Sequence, residues 1–256
     1  MNKSVVQVSV APVRKEPSDA AEMVTQLLFG ELCEVLDTNK QWNKIKVEYD
    51  NYEGWVDSKQ ILNLELDKFS LFSQKTSYII EPFNLLIYKN QPFPVTIGAE
   101  IHHLSENNIF ELSPNHKFIV EESLNNQKLD KNKLLEIAFK YINTPYLWGG
   151  KSPYGIDCSG LTQMVYKIAG YQLPRDAYQQ AEVGQVLSFI EEAEPGDLAF
   201  FENEEGKIVH VGIILPNQKI LHAHGRVRID SLDYTGIFNL DLNRYTHQLR
   251  LMRRII

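Results

Sequence analysis

The sequence predicts a multidomain chain in which two small all-β barrels precede a mixed α+β domain. Three observations predict it. Short β-type apolar runs, separated by Pro, Asn, Asp and Gly, fill most of residues 5–120. A polar, Asn-rich stretch from Glu121 to Asp130 interrupts them. Beyond it the apolar spacing becomes that of amphipathic helices and then of alternating strands. The expected domains are residues 1–64, 65–125 and 126–256.

In the first segment Val6, Val8 and Val10 alternate as a strand, and Pro12 to Asp19 read as a turn-rich loop. Val24–Leu28, Leu32–Leu36 and the run Trp42, Ile45, Val47 follow, and Asp50-Asn51 marks a turn before Tyr52–Val56. Cys33 alternates with Val35, so it is expected as core filling. The second segment repeats this style in Tyr78–Ile80, Leu85–Tyr88, Val95–Ile97, Ile109–Leu112 and Lys117–Val120. Gln91-Pro92-Phe93-Pro94 reads as an irregular loop. His102, His103 and His116 lack metal-ligand spacing, and no metal site or cofactor is expected anywhere in the chain.

At 256 residues and 43% hydrophobic, the chain can bury a substantial core. Its net charge of −7, without a basic run, argues against nucleic acid or an anionic membrane face as partner. No stretch approaches the ~18 apolar residues of a membrane span. Two cysteines in different predicted domains fit free thiols in a reducing compartment. The N-terminus shows no apolar core of signal-peptide length, so a cytoplasmic location is expected, with export as the alternative if a leader has been removed. A monomer is compatible with the sequence.

The third segment carries the chemistry. Asp130 is placed to cap a helix with the stripe Leu134, Ala138 and Tyr141, which Pro145 should end. A Gly- and aromatic-rich loop, Tyr146 to Ile156, leads to Asp157-Cys158-Ser159-Gly160. Leu161, Met164, Val165 and Ile168 then mark a buried helix face, and Gly170 is its stop. With Asp157 as N-cap, Cys158 lies in the first turn. There the helix dipole and free N–H groups are expected to lower the thiol pKa, and the Cys158 N–H to help hold an oxyanion.

Leu198–Phe201 and Ile208–Leu215 read as strands, and Lys219–His224 returns after a turn at Pro216-Asn217. His210 lies in the apolar centre of the second strand and needs a ring partner. His222 and His224 share a face, so alternation cannot choose between them. A thiol at a helix start with imidazoles on paired strands suits nucleophilic catalysis of acyl transfer.

These motifs resemble the NlpC-type bacterial cell-wall peptidases, a papain-like cysteine peptidase family. The matching stretches are Tyr146–Gly150, Asp157–Leu161, Leu173–Asp176, Pro195–Leu198, His210–Ile213 and His222-Ala223. The two preceding barrels resemble bacterial SH3-like modules. The layout is similar to γ-D-glutamyl-L-diamino acid endopeptidases that process murein peptides bearing a free N-terminal L-Ala. The resemblance implies an α+β domain with N-terminal helices packed on an antiparallel sheet. It implies Cys158 as nucleophile, His210 as base and then acid, and His222 rather than His224 as the orienting residue. Asp157 would pair with the substrate ammonium and be left desolvated and unpaired by a blocked N-terminus, with Ser159 assisting. Tyr146 and Trp148 would line the pocket, Tyr146 touching the oxyanion, and Asp176 would add a contact. Ala177 stands where relatives often carry serine. From the first barrel, Glu22 and Tyr52 are the candidates to close the pocket.

Overall fold

The computed structural model describes residues 2–256, mostly strands with few helices. The chain divides into two compact units. One holds the residues up to Asn126 together with Lys151–Pro153; the other holds Gln127–Gly150 and Tyr154–Ile256.

The first unit begins with β1 (Asn2–Val6), β2 (Val10–Arg14), β3 (Met23–Leu28), β4 (Leu32–Asn39), β5 (Trp42–Val47), β6 (Glu53–Asp57) and β7 (Ile61–Leu64). They form one sheet in the order β3-β2-β6-β5-β4-β1-β7 over a core of Val6, Val13, Leu27, Cys33, Ile45 and Val56. Cys33 packs there as expected, and burial pushes its thiol up to about 12. The alternation Val6, Val8, Val10 does not make one strand: the chain bends between β1 and β2. Strand β2 then runs through Pro12, expected to open a loop. It meets β6 only at Arg14–Trp55, so this strand makes little demand for the N–H that proline lacks.

Residues 66–125 hold a helix that the strand-like reading missed, α1 (Leu66–Gln74), which buries Phe69 and Phe72 at i, i+3 spacing. Next come β8 (Thr76–Ile79), β9 (Phe83–Tyr88), β10 (Gln91–Thr96), β11 (Glu100–His102), β12 (Ile109–Ser113), β13 (His116–Ile119) and β14 (Leu124–Asn125). Their sheets have the orders β10-β9-β13-β12 and β11-β8-β14. The Pro92-Phe93-Pro94 segment is not an irregular loop but lies in edge strand β10, where only one side needs donors. The core of this region takes in Val5 and Leu32 from the preceding sheet and Phe29 from the turn after β3, with Phe29 and Phe118 rings 4.9 Å apart. Strand β15 (Lys151–Ser152) also belongs to the first unit, where buried Lys151 gives its Nζ to Glu31 Oε1 at 2.9 Å.

In the second unit Asp130 caps α2 (Lys131–Phe139) by accepting the Lys133 N–H at 3.0 Å, and the helical path closes before Pro145. Strand β16 (Gly155–Ile156) precedes α3 (Cys158–Ile168), every residue of which is buried, with Gly170 at φ +85° beyond its end. The short α4 (Ala177–Gln180) follows. The sheet comprises β17 (Gln185–Leu187), β18 (Leu198–Glu202), β19 (Ile208–Leu215), β20 (Lys219–His224), β21 (Arg226–Leu232), β22 (Gly236–Asn239) and β23 (Arg244–Arg254). Its order is β17-β23-β18-β19-β20-β21-β22, all antiparallel, and β23 also pairs with β22, closing six strands into a ring. The turn between β19 and β20 uses Asn217 and Gln218, both at positive φ, as the predicted hairpin requires. Helix α3 packs against β19 and β20. Among the described residues no helix is long and apolar enough to cross a membrane.

Candidate active site

Cys158 is the first residue of α3, as the capping pattern predicts: Asp157 Oδ1 accepts the Gly160 N–H at 2.6 Å. The glycine is required, since a Cβ on Gly160 would stand 2.3 Å from the Gly150 carbonyl oxygen. The sulfur receives backbone N–H groups from Ser159, in its own helix, and from Val211 on β19. Val211 directly follows His210, so the helix start and the imidazole-bearing strand meet at the thiol.

The thiol at rest is not the expected thiolate. Burial, with the Asp157 charge second, pushes Cys158 up to about 12, and the two N–H groups and Arg175 only partly oppose this. Burial likewise holds His210 well below its ordinary value, and the neighbouring His247 and His222 push the same way. Thiol and imidazole are therefore both neutral at neutral pH.

His210 is 5% exposed, and its Nε2 lies 2.9 Å from Nδ1 of His222. His222 Nε2 in turn meets Asp230 Oδ2 at 3.0 Å. The carboxylate fixes the protons along this chain. Asp230 can only accept, so His222 carries its hydrogen on Nε2 and presents a lone pair at Nδ1. His210 must then donate from Nε2, which leaves Nδ1 as its basic nitrogen. Geometry thus pairs His222, not His224, with His210; the His224 ring stacks on His222 instead, with centroids 6.1 Å apart. In the register His222 stands opposite Gly212. A Cβ at Gly212 would lie 3.0 Å from His222 Cβ and 2.7 Å from Ile220 Cδ1, so the missing side chain makes room for the imidazole pair.

Two groups at this chain were not singled out in the sequence. Asp230, with Arg228, lies on β21; Arg228 Nε donates to Asp230 Oδ2 at 2.7 Å, and the Leu240 N–H lies at 3.3 Å from Oδ1. The alternation of Arg228 and Asp230 on one face was a readable signal. His247, from β23, stacks on His210 with centroids 4.1 Å apart and planes 25° apart. No sequence signal marks it, because long-range strand pairing rather than local spacing brings it there. His210, His222 and His247 offer ring nitrogens within 4.8 Å of one another and so can hold a metal ion, where the sequence suggested none.

Asp157 differs from the expected carboxylate awaiting an ammonium. Arg175, 1% exposed, pairs with it through Nη2–Oδ2 at 2.5 Å and Nη1–Oδ1 at 3.0 Å. The Gly149 N–H adds a bond at 2.8 Å, and the Ser159 hydroxyl lies 3.3 Å from Oδ1. Without substrate it is already paired, so a blocked substrate N-terminus would not leave it unpaired. Arg175 also holds Ser159 Oγ at 2.9 Å. Tyr146 is 37% exposed, and its phenol is pushed up to about 12 by burial, then by Cys158 once ionised and by the Asp157 charge; at neutral pH it is a protonated donor. Trp148 is 62% exposed. Asp176 is the N-cap of α4, where its N–H donates to Gln179 Oε1 at 3.1 Å. In the first unit Glu22 is exposed, 3.6 Å from Lys15 Nζ, and Tyr52 packs partly buried on its barrel core.

The sequence profile of the NlpC/P60 family matches residues 143–245, and that of the bacterial dipeptidyl-peptidase SH3 domain matches residues 13–61. The chain is 31% identical over 216 residues to a γ-D-glutamyl-L-lysine dipeptidyl-peptidase of Bacillus subtilis (strain 168), covering 78% of this chain and 71% of the relative. The chain belongs to the NlpC/P60 family. It is also 26% identical to dipeptidyl-peptidase 6 of Lysinibacillus sphaericus, covering 90% of this chain and 92% of the relative. An NlpC/P60 family protein from Bacillus cereus shares the fold across 99% of both chains, with a TM-score of 0.82 at 21% identity. An SH3-like N-terminal domain and an NlpC/P60 domain are thus both present, as the sequence motifs implied.

Proposed function

We propose that this NlpC/P60 protein is a cysteine peptidase that hydrolyses the amide joining the D-Glu side-chain carboxyl to the diamino acid in peptidoglycan peptides. One observation carries the reading: a helix-start sulfur that accepts the backbone N–H of Val211, the residue after His210, with His210 tied through His222 to Asp230. The names of the relatives agree with it.

In the reaction Cys158 attacks the γ-carbonyl carbon while its proton passes to His210 Nδ1. The ion pair forms during attack, and the Ser159 and Val211 N–H groups stabilise the thiolate as it appears. The Cys158 N–H and the Tyr146 hydroxyl receive the oxyanion. His210 then protonates the departing amine of the diamino acid, leaving a γ-thioester. Water hydrolyses the thioester with His210 as base, which restores the thiol. The first proton transfer carries the Cys158 hydrogen to the departing amine, and water supplies the one that restores the thiol.

Selection of a free N-terminal L-Ala is assigned to Ser159, Tyr146, Trp148, Asp176 and the Arg175-paired Asp157. Residues 65–125 we assign as a second SH3-like barrel, and residues 126–256 as a papain-like domain. The substrate is then a released peptide, and two free thiols support a reducing, cytoplasmic setting. The test incubates the protein with L-Ala-γ-D-Glu-L-Lys, its meso-diaminopimelate counterpart and the N-acetylated forms. Release of L-Ala-D-Glu from the free peptides alone is expected. No release from any peptide overturns the function, and equal cleavage of acetylated peptides overturns the ammonium selection.

A further inference from the structure

We propose that His210, His222 and His247 form a zinc site whose occupancy switches the peptidase off; the inhibitory consequence rests on the function proposed above, whereas the site itself does not. The three imidazoles come from three strands of one closed sheet, β19, β20 and β23, and one ring nitrogen of each lies within 4.8 Å of the others. Two of those rings, His210 and His222, already meet nitrogen to nitrogen at 2.9 Å. The far side of two rings is fixed as ligating histidines usually are: His222 Nε2 is held by Asp230, and His247 Nδ1 by Thr246 Oγ1 at 2.9 Å. This leaves His222 Nδ1 and His247 Nε2 as their ligating atoms.

Borderline-soft imidazole donors suit Zn²⁺, and three histidines leave one coordination position open. Zinc–nitrogen bonds of about 2.0–2.1 Å in a tetrahedron put ligand nitrogens roughly 3.3 Å apart, so the His210–His222 pair must open slightly while the third nitrogen closes in by up to on the order of 1.5 Å. His247 can supply that movement. It is only half-buried and lines an open groove of about 410 Å³ with Tyr234, Thr235, Tyr245 and Gln248.

Binding changes the site chemically without net proton release. For His210 to ligate through Nε2, the hydrogen on that atom moves to Nδ1. Nδ1 is the nitrogen that must accept the Cys158 proton, so a zinc-bound His210 is no longer a base.

A thiol-based alternative, zinc held by Cys158 and His210, makes opposite predictions for two variants. Zn²⁺ affinity is measured by competition with a chromophoric chelator on the full chain, wild type, Cys158→Ser and His247→Gln. One equivalent is expected to bind wild type and Cys158→Ser within about threefold, and His247→Gln at least tenfold more weakly. In wild type, imidazole ¹⁵N resonances of His210, His222 and His247 are expected to shift on zinc addition, and those of His102, His103 and His116 to stay, a reading that needs no variant to fold. Peptidase activity lost with zinc returns with EDTA. Loss of binding in Cys158→Ser, unchanged binding in His247→Gln, or unshifted His247 resonances overturns the site. An inactive peptidase that still binds zinc in this pattern overturns only the function.

Discussion

Replacing Asp230 with Asn tests the proton ordering on which the base depends. The side chain keeps its shape, and Arg228 keeps a second partner in Asp241 at 2.9 Å. The amide, however, no longer compels His222 to hold its hydrogen on Nε2. If the Asn NH₂ donates instead, His222 becomes Nδ1–H, His210 must accept at Nε2, and its hydrogen moves to Nδ1, facing the thiol. The lost interaction is a hydrogen bond from His222 to a buried charge at 3.0 Å. Bonds of that class are worth about 1.5–3 kcal/mol, and at about 1.4 kcal/mol per tenfold the expected fall in kcat is roughly 10- to 150-fold. KM should change little, since Asp230 is fully buried and lies behind the base. The assay follows L-Ala-D-Glu release by chromatography over a range of peptide concentrations, with thermal unfolding as the control. Imidazole ¹⁵N spectra should show His222 protonated on Nε2 in wild type and a mixed or inverted tautomer in the variant. A natively folded Asp230→Asn enzyme with kcat within twofold of wild type would refute the reasoning.

Other consequences follow from the same geometry. Arg175→Met leaves Asp157 as a buried charge without its partner, so urea unfolding should report a loss of about 3–5 kcal/mol, the scale for breaking a buried pair; a loss under 1 kcal/mol contradicts the pairing. Because burial raises the Cys158 thiol to about 12, iodoacetamide alkylation of the resting protein should keep accelerating above pH 9. Cys33 should stay silent while the fold holds, and a rate plateau below pH 7 would instead reveal a resting ion pair. Gly212→Ala pushes a methyl against His222 and Ile220, so about 1–3 kcal/mol of stability and a larger share of kcat than of KM should be lost. Unaltered kinetics in that variant would mean that the imidazole pair tolerates displacement.

What the residues alone determined is local. Asp157 as cap, Cys158 at the first turn, the buried α3 face and the β19–β20 hairpin follow from short-range spacing, because capping, helical period and turn conformation are set within a few residues. The same locality explains the errors. Pro12 and Pro92-Phe93-Pro94 looked like breakers because a sequence does not say which strand side needs donors, and α1 was hidden by its two-phenylalanine stripe among strand-like neighbours. Tertiary structure decided the electrostatics. Burial, not the helix dipole, sets the Cys158 protonation, because desolvation depends on what covers the thiol. Arg175 is separated from Asp157 by 18 residues, and His247 from His210 by 37, so only folding could pair the first and stack the second. The pairing of β23 with β18 and β22 carries His247 to the histidine cluster, and that pairing runs across the sheet rather than along any motif in the chain.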